Sequence, residues 1–148
     1  MKNLILLFFL LTLVGVLPAP AQYNATVSSS TTQTVTLRCV GYGKKAKPAA
    51  TDAELSAIRT VLFVGVHGTP FNMPLIQEGQ QSAESRFNDF FNNFYNGDYK
   101  NFIESSIVTI PFGKNAVKAK CITVDVCVRV SALRKYLEDN NIIRKFGL

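Results

Sequence analysis

The feature that most constrains this chain is its apolar start, because residues 1–21 have the layout of a segment that is removed before folding. Lys2 supplies a positive charge, and the run from Leu4 to Leu17 is almost entirely apolar. Ala19 and Ala21 then give the small-x-small pattern that a signal peptidase cleaves. The run is shorter than the roughly 20 residues of a membrane-spanning helix. We therefore predict a signal peptide over residues 1–21 and no transmembrane anchor after its cleavage.

Cleavage leaves 127 residues with a formal net charge of +5, since the lysine of the signal accounts for one unit of the +6. A chain of this length forms one domain. Export places it in the periplasm, on the outer surface or outside the cell, where proteins rarely meet nucleic acid. A modest positive charge there favours contact with anionic envelope polymers.

The lysines come in short groups, and six of them are the candidate contacts for a partner or a polyanion: Lys44, Lys45, Lys47, Lys114, Lys118 and Lys120. No aromatic residue is interleaved with them, as binding of single-stranded nucleic acid would require, so we predict no nucleic-acid site. Solvated loops and helix ends are the simpler interpretation of the same groups.

The three cysteines decide whether a disulfide holds the exported domain together. Cys121 and Cys127 are six residues apart in one alternating run, which is about 20 Å in a strand and too far to bridge. The apolar phase turns Cys39 inward and the other two outward. We predict three free thiols, with one bridge from Cys39 as the alternative if an edge strand shifts phase. With one histidine and no paired cysteine spacing, we predict no metal site.

An arm and a strand are predicted at the start of the mature chain. Residues 22–32 are rich in serine and threonine, which predicts a flexible N-terminal arm. The alternating, β-branched residues from Gln33 to Gly41 predict a strand. Gly41 and Gly43 end it. A dinucleotide-binding fingerprint would need a third glycine and a helix that starts at the second, so we predict a turn.

Two helices are predicted next. Thr51 and Glu54 have the spacing of a capping box, and Ala53 and Ala57 give the helix a narrow side that can sit close on a sheet. Helical spacing returns at about residues 80–95, where four aromatic residues fall at i, i+3, i+4 and i+7: Phe87, Phe90, Phe91 and Phe94. This stripe predicts packing in the core. The alternative is that some rings line a pocket or a partner groove.

The remaining chain predicts a hairpin and a last helix. Its second strand spans residues 117–130, with Asp125 on the outward phase in an exposed salt bridge, and Ser131 can cap the helix. The order of elements is β-α-α-β-β-α. We predict an α+β fold, with one domain over residues 33–148 and helices packed on one face of a small, mainly antiparallel sheet.

No combination of residues predicts catalysis. His67 is the only histidine and lies beside a glycine in a loop rich in glycine and proline. A general base needs a nucleophile and an orienting partner, and the sequence supplies neither. Cys121 or Cys127 could act as a nucleophile, but neither has an evident activating partner. We predict a protein that is not an enzyme and has no cofactor. Of three hypotheses for the function, an enzyme that uses His67 or a free cysteine ranks last, after the two given below.

Several segments resemble a group of uncharacterised small exported proteins of Gram-negative anaerobes. These are the glycines at 41 and 43, the helix ending over residues 59–66, the loop at 74–76 and the phenylalanine-rich helix. More distantly, residues 33–66 are similar to the N-terminal domain of flagellar assembly protein T and related envelope lipoproteins. The resemblance implies a periplasmic or surface α+β module with no enzyme activity to carry over. The chain lacks the lipobox cysteine of the lipoproteins.

Two hypotheses for function therefore come first. In the first, the chain is a non-enzymatic exported module that binds another envelope protein or assembles with copies of itself. In the alternative, it binds a small ligand or an anionic envelope polymer through a basic rim formed by the two lysine groups.

Overall fold

The computed structural model describes residues 23–145, and the predicted signal peptide lies outside them. The elements follow in the order β1 (Ala25–Ser30), β2 (Thr34–Tyr42), α1 (Ala46–Arg59), α2 (Gln80–Arg86), α3 (Asn88–Asn96), β3 (Ile103–Lys114), β4 (Lys120–Arg129) and α4 (Val130–Asp139). A π-helical turn, Thr60–Val64, extends α1, and a 3-10 turn, Asp98–Phe102, precedes β3.

The strands form one antiparallel sheet in the order β1-β2-β4-β3. Side chains alternate across the two central strands, so that Val35, Leu37 and Cys39 face the core beside the even-numbered valines of β4. Helix α1 packs on this face, against β2 and β4. The predicted fold is confirmed: the chain is a single α+β domain with helices on one face of an antiparallel sheet.

Strand β1 occupies most of the predicted arm, so the prediction of a flexible segment over residues 22–32 is wrong for Ala25–Ser30. These residues pair with β2, with Ala25 opposite Cys39, and a bulge interrupts the register after Val27. The Thr31 hydroxyl accepts a hydrogen bond from the Thr34 N–H (2.9 Å) and fixes the connecting turn. An edge strand needs backbone partners rather than apolar side chains, because its own N–H and C=O groups pair with the neighbouring strand.

Helix α1 begins at Ala46, so the predicted start at Thr51 is wrong. Pro48 lies in the first turn, where its missing N–H costs no helical hydrogen bond. Thr51 and Glu54 are therefore inside the helix rather than at its cap. The Glu54 carboxylate instead accepts a hydrogen bond from the Tyr99 hydroxyl (3.1 Å).

The helix lies very close to β2, as its small residues predict. A Cβ atom added to Gly41 would lie 2.0 Å from the Ala49 carbonyl oxygen and 2.5 Å from the Ala53 amide nitrogen. Ala49, Ala53 and Ala57 are fully buried in this contact. The glycine pair that resembles part of a nucleotide-binding fingerprint therefore serves helix packing.

The aromatic stripe packs in the core, but the single helix predicted over residues 80–95 is two helices, and three of the four rings lie on α3. Phe87 has non-helical backbone angles (φ −116°, ψ 43°) and separates α2 from α3. Phe91 and Phe94 are buried, and Phe94 contacts the rings of Phe102 and Tyr136. The stripe thereby joins α3 to the 3-10 turn and to α4.

Candidate functional site

The two groups of candidate lysines, far apart in sequence, lie at one end of the sheet. Tyr42, the last residue of β2, is opposite Cys121 in β4, and the Gly43 N–H donates to the Lys120 carbonyl oxygen (3.3 Å). Lys120 is in turn opposite Lys114, the last residue of β3. All six side chains are exposed. We refer to Lys44, Lys45, Lys47, Lys114, Lys118 and Lys120 as the lysine cluster.

The positive charge of the lysine cluster is not neutralised within the described domain. Among residues 23–145, the six ammonium groups have no hydrogen-bond or ion-pair partner. Asp52 is the acidic residue nearest in sequence to the first group, and its carboxylate accepts a hydrogen bond from the Tyr42 N–H (2.9 Å). The cluster therefore presents six positive charges to solvent at one end of the molecule.

The hairpin between β3 and β4 has a fixed conformation at its tip. The Asn115 side-chain oxygen accepts hydrogen bonds from the Val117 N–H (3.1 Å) and the Ala119 N–H (2.9 Å). The Asn115 N–H donates to the Ala119 carbonyl, and Lys118 adopts the left-handed conformation with φ 60°. The strand predicted over residues 117–130 therefore begins only at Lys120. Val117 lies in the turn, with 80% of its surface exposed.

A largely apolar cavity of about 400 Å³ adjoins the lysine cluster. Tyr42 and Ile110 contribute exposed side chains to its wall, and Cys121 and Lys114 also line it. The surface positions of Tyr42, Ile110 and Val117 were not predicted from the sequence. For Tyr42 the available signal is the alternation of β2, which places it opposite the core phase. Ile110 could not be placed in this way, because a register shift after Val108 interrupts the alternation of β3. Asn115 two positions before Val117 is the signal that a turn includes the valine.

We call the face of the sheet that α1 does not cover the helix-free face. It carries Arg38, Asp125, Cys127 and the exposed residues Ile107 and Ile110. Arg38 donates two hydrogen bonds to Asp125, at 2.8 and 2.9 Å, and these lower the pKa of the Asp125 carboxyl. The exposed salt bridge expected for Asp125 is confirmed, with its partner directly across the strand pair.

The three cysteines are free, as predicted, and the alternative bridge from Cys39 is not formed. Cys39 is fully buried under α1, and burial raises the pKa of its thiol to about 12. Cys121 and Cys127 are half-buried on the opposite side of the sheet, where the Cys127 thiol donates to Glu104 (3.3 Å). The geometry therefore keeps Cys39 from both possible partners.

His67 lies exposed in the loop that follows the π-helical turn. Within residues 23–145, no group of three or more histidine, cysteine, aspartate or glutamate residues is placed to hold a metal ion. No helix in the same part of the chain is both long and apolar enough to cross a membrane. Comparison with protein-family models, curated proteins and solved structures gives no match for this chain.

Proposed function

We propose that the chain is an exported, non-enzymatic module, periplasmic or secreted, that binds another envelope protein or a second copy of itself. The observation that carries this proposal is the apolar exposure of β3 at the edge of the sheet. Ile107 and Ile110 are each 60% exposed, and Val108 between them is 52% exposed. If the uncovered side of β3 faced only water, polar residues would alternate with apolar ones along the strand.

The position of these residues favours packing on a face over extension of the sheet. Ile107 lies opposite Asp125 and Ile110 opposite Thr123, so both isoleucines belong to the helix-free face, whereas Val108 lies opposite the buried Val124 and belongs to the other face. Register shifts and Pro111 interrupt β3, and such features discourage a further strand from pairing with an edge. The partner therefore covers the side chains of the helix-free face rather than the free backbone of β3.

The test compares the chain from residue 22 onward with an Ile107→Thr/Ile110→Thr variant. Threonine keeps the strand preference while it removes apolar surface. We expect the parent chain to form dimers in sedimentation equilibrium, or to crosslink to one envelope protein that also binds after purification. The variant loses that interaction, and a Val64→Thr control on another surface keeps it. A monomeric parent with no crosslinked partner would refute the proposal.

A second candidate function is supported by the lysine cluster: binding of a small ligand or an anionic envelope polymer through the basic rim. Six unpartnered ammonium groups from two chain segments meet at one end of the sheet. Retention on an anionic polysaccharide resin that weakens steeply with salt would support it. Lack of retention at low salt would rule it out.

Export and family membership belong to the same proposal. In the native host we expect the mature chain to start at Gln22, which mass spectrometry of the purified protein can determine. An intact Met1 in a cytosolic fraction would contradict it. The resemblance to the exported proteins of Gram-negative anaerobes and to flagellar assembly protein T stays a prediction.

A further inference from the structure

We propose that the tip of the β3–β4 hairpin and the lysine cluster together form a docking surface for an anionic lipid bilayer. This rests on the same cluster as the second candidate function, but it specifies a bilayer as the anionic partner. The tip carries Val117, whose exposed fraction of 80% exceeds that of every other large apolar residue described as exposed. Its position among positive charges, rather than its exposure alone, carries the inference.

The charges surround the apolar tip. Lys114, Lys118 and Lys120 lie on the hairpin itself, and the hydrogen bond from Gly43 to the Lys120 carbonyl brings the segment with Lys44, Lys45 and Lys47 to the same end. An anionic bilayer has the matching order, with phosphates at its surface and hydrocarbon beneath them. A soluble polyanion would engage the lysines and leave Val117 in water.

The tip is also preorganised for such contact. Asn115 binds the backbone N–H groups of Val117 and Ala119, and the left-handed Lys118 closes the turn. A loop already held in one conformation loses little entropy on binding. The surface needs no rearrangement to place Val117 toward the lipid with lysines on both sides of it.

A Val117→Trp variant tests insertion directly, because the chain has no other tryptophan. The chain without residues 1–21 is used, since residues 23–145 form a domain with its own core and the apolar start would bind any bilayer. We expect its emission to shift to the blue on vesicles of phosphatidylglycerol and phosphatidylcholine. We expect no shift on pure phosphatidylcholine or with soluble polyphosphate. Met73→Trp, at an exposed loop residue, is the control that stays unshifted.

The charge contribution is tested with a Lys114→Gln/Lys118→Gln/Lys120→Gln variant. A lysine near an anionic leaflet contributes about fivefold in affinity, so the triple variant should bind phosphatidylglycerol vesicles on the order of 100-fold more weakly. A Lys100→Gln/Lys135→Gln/Lys145→Gln variant has the same change in net charge and should lose much less.

Two outcomes overturn the proposal. The first is binding to both vesicles and polyphosphate with the tryptophan still in water, which would leave the second candidate function standing alone. The second is an equal loss for both triple variants, which would mean that net charge rather than this surface governs binding.

Discussion

Substituting Gly41 with alanine tests the closest contact in the fold. The added Cβ would lie 2.0 Å from the Ala49 carbonyl oxygen and 2.5 Å from the Ala53 amide nitrogen. Both are backbone atoms, so no side chain can rotate away, and α1 has to move off β2 by more than about 1 Å to reach ordinary van der Waals separation.

Two opposing contributions set the magnitude of this effect. Overpacking of a well-packed contact costs about 1–3 kcal/mol, and a clash with backbone belongs at the upper end. Alanine also restricts the unfolded chain, which recovers about 0.4–1 kcal/mol. We expect the free energy of unfolding to fall by about 2 kcal/mol. For a domain of this size that corresponds to a Tm lower by about 6–10 °C.

Guanidinium unfolding of Gly41→Ala and of a Gly79→Ala control measures the difference. Nothing lies within 4 Å of a Cβ added at Gly79, so we expect the control to stay within about 0.5 kcal/mol of the parent. The midpoint should shift for Gly41→Ala with the m-value unchanged. A Gly41→Ala midpoint equal to that of the parent would show that α1 can recede from β2 without cost, and the packing argument would be refuted.

Three further predictions concern buried groups and the thiols. In the native protein a maleimide should label Cys121 and Cys127 but leave the fully buried Cys39 unmodified until the protein unfolds; equal labelling of all three would contradict the position of α1. Because burial raises the pKa of Cys39 from 9.0 to about 12, the folded state keeps a proton that the unfolded state releases. The free energy of unfolding therefore falls as the pH rises from 9 toward 12, and it should fall less steeply for the Cys39→Val variant. Tyr95→Phe removes a hydrogen bond of 2.6 Å to the Glu84 carboxylate and should cost about 1.5 kcal/mol in urea unfolding, whereas Tyr42→Phe on the surface should cost less than about 0.5 kcal/mol.

The elements that could be predicted from sequence are those whose own side chains determine their position. Alternation in β2 and β4 gives both the strands and the face of each cysteine, because one face of the sheet is buried. The small residues of α1 likewise anticipate its close approach to the sheet. In each case the local pattern and the tertiary contact require the same residue types.

The elements that could not be predicted depend on partners elsewhere in the chain. Strand β1 exists because β2 offers it a backbone edge, and its serine-rich sequence carries little sign of that. The break at Phe87 is a backbone conformation within an otherwise helical pattern. The six lysines could be named from sequence. That the two groups lie together depends on the strand register, which places Lys120 beside both Gly43 and Lys114.

The register of β1 bears on the proposed export, because it decides which end of the domain lies next to the leader. The Val40 N–H donates to the Asn24 carbonyl (3.2 Å), so the chain enters the fold beside the last residues of β2, at the end that bears the lysines. Under the proposed export, a precursor still attached to its leader is tethered by this end. The hairpin tip lies at the same end, so it would already face the bilayer when the peptidase releases the domain.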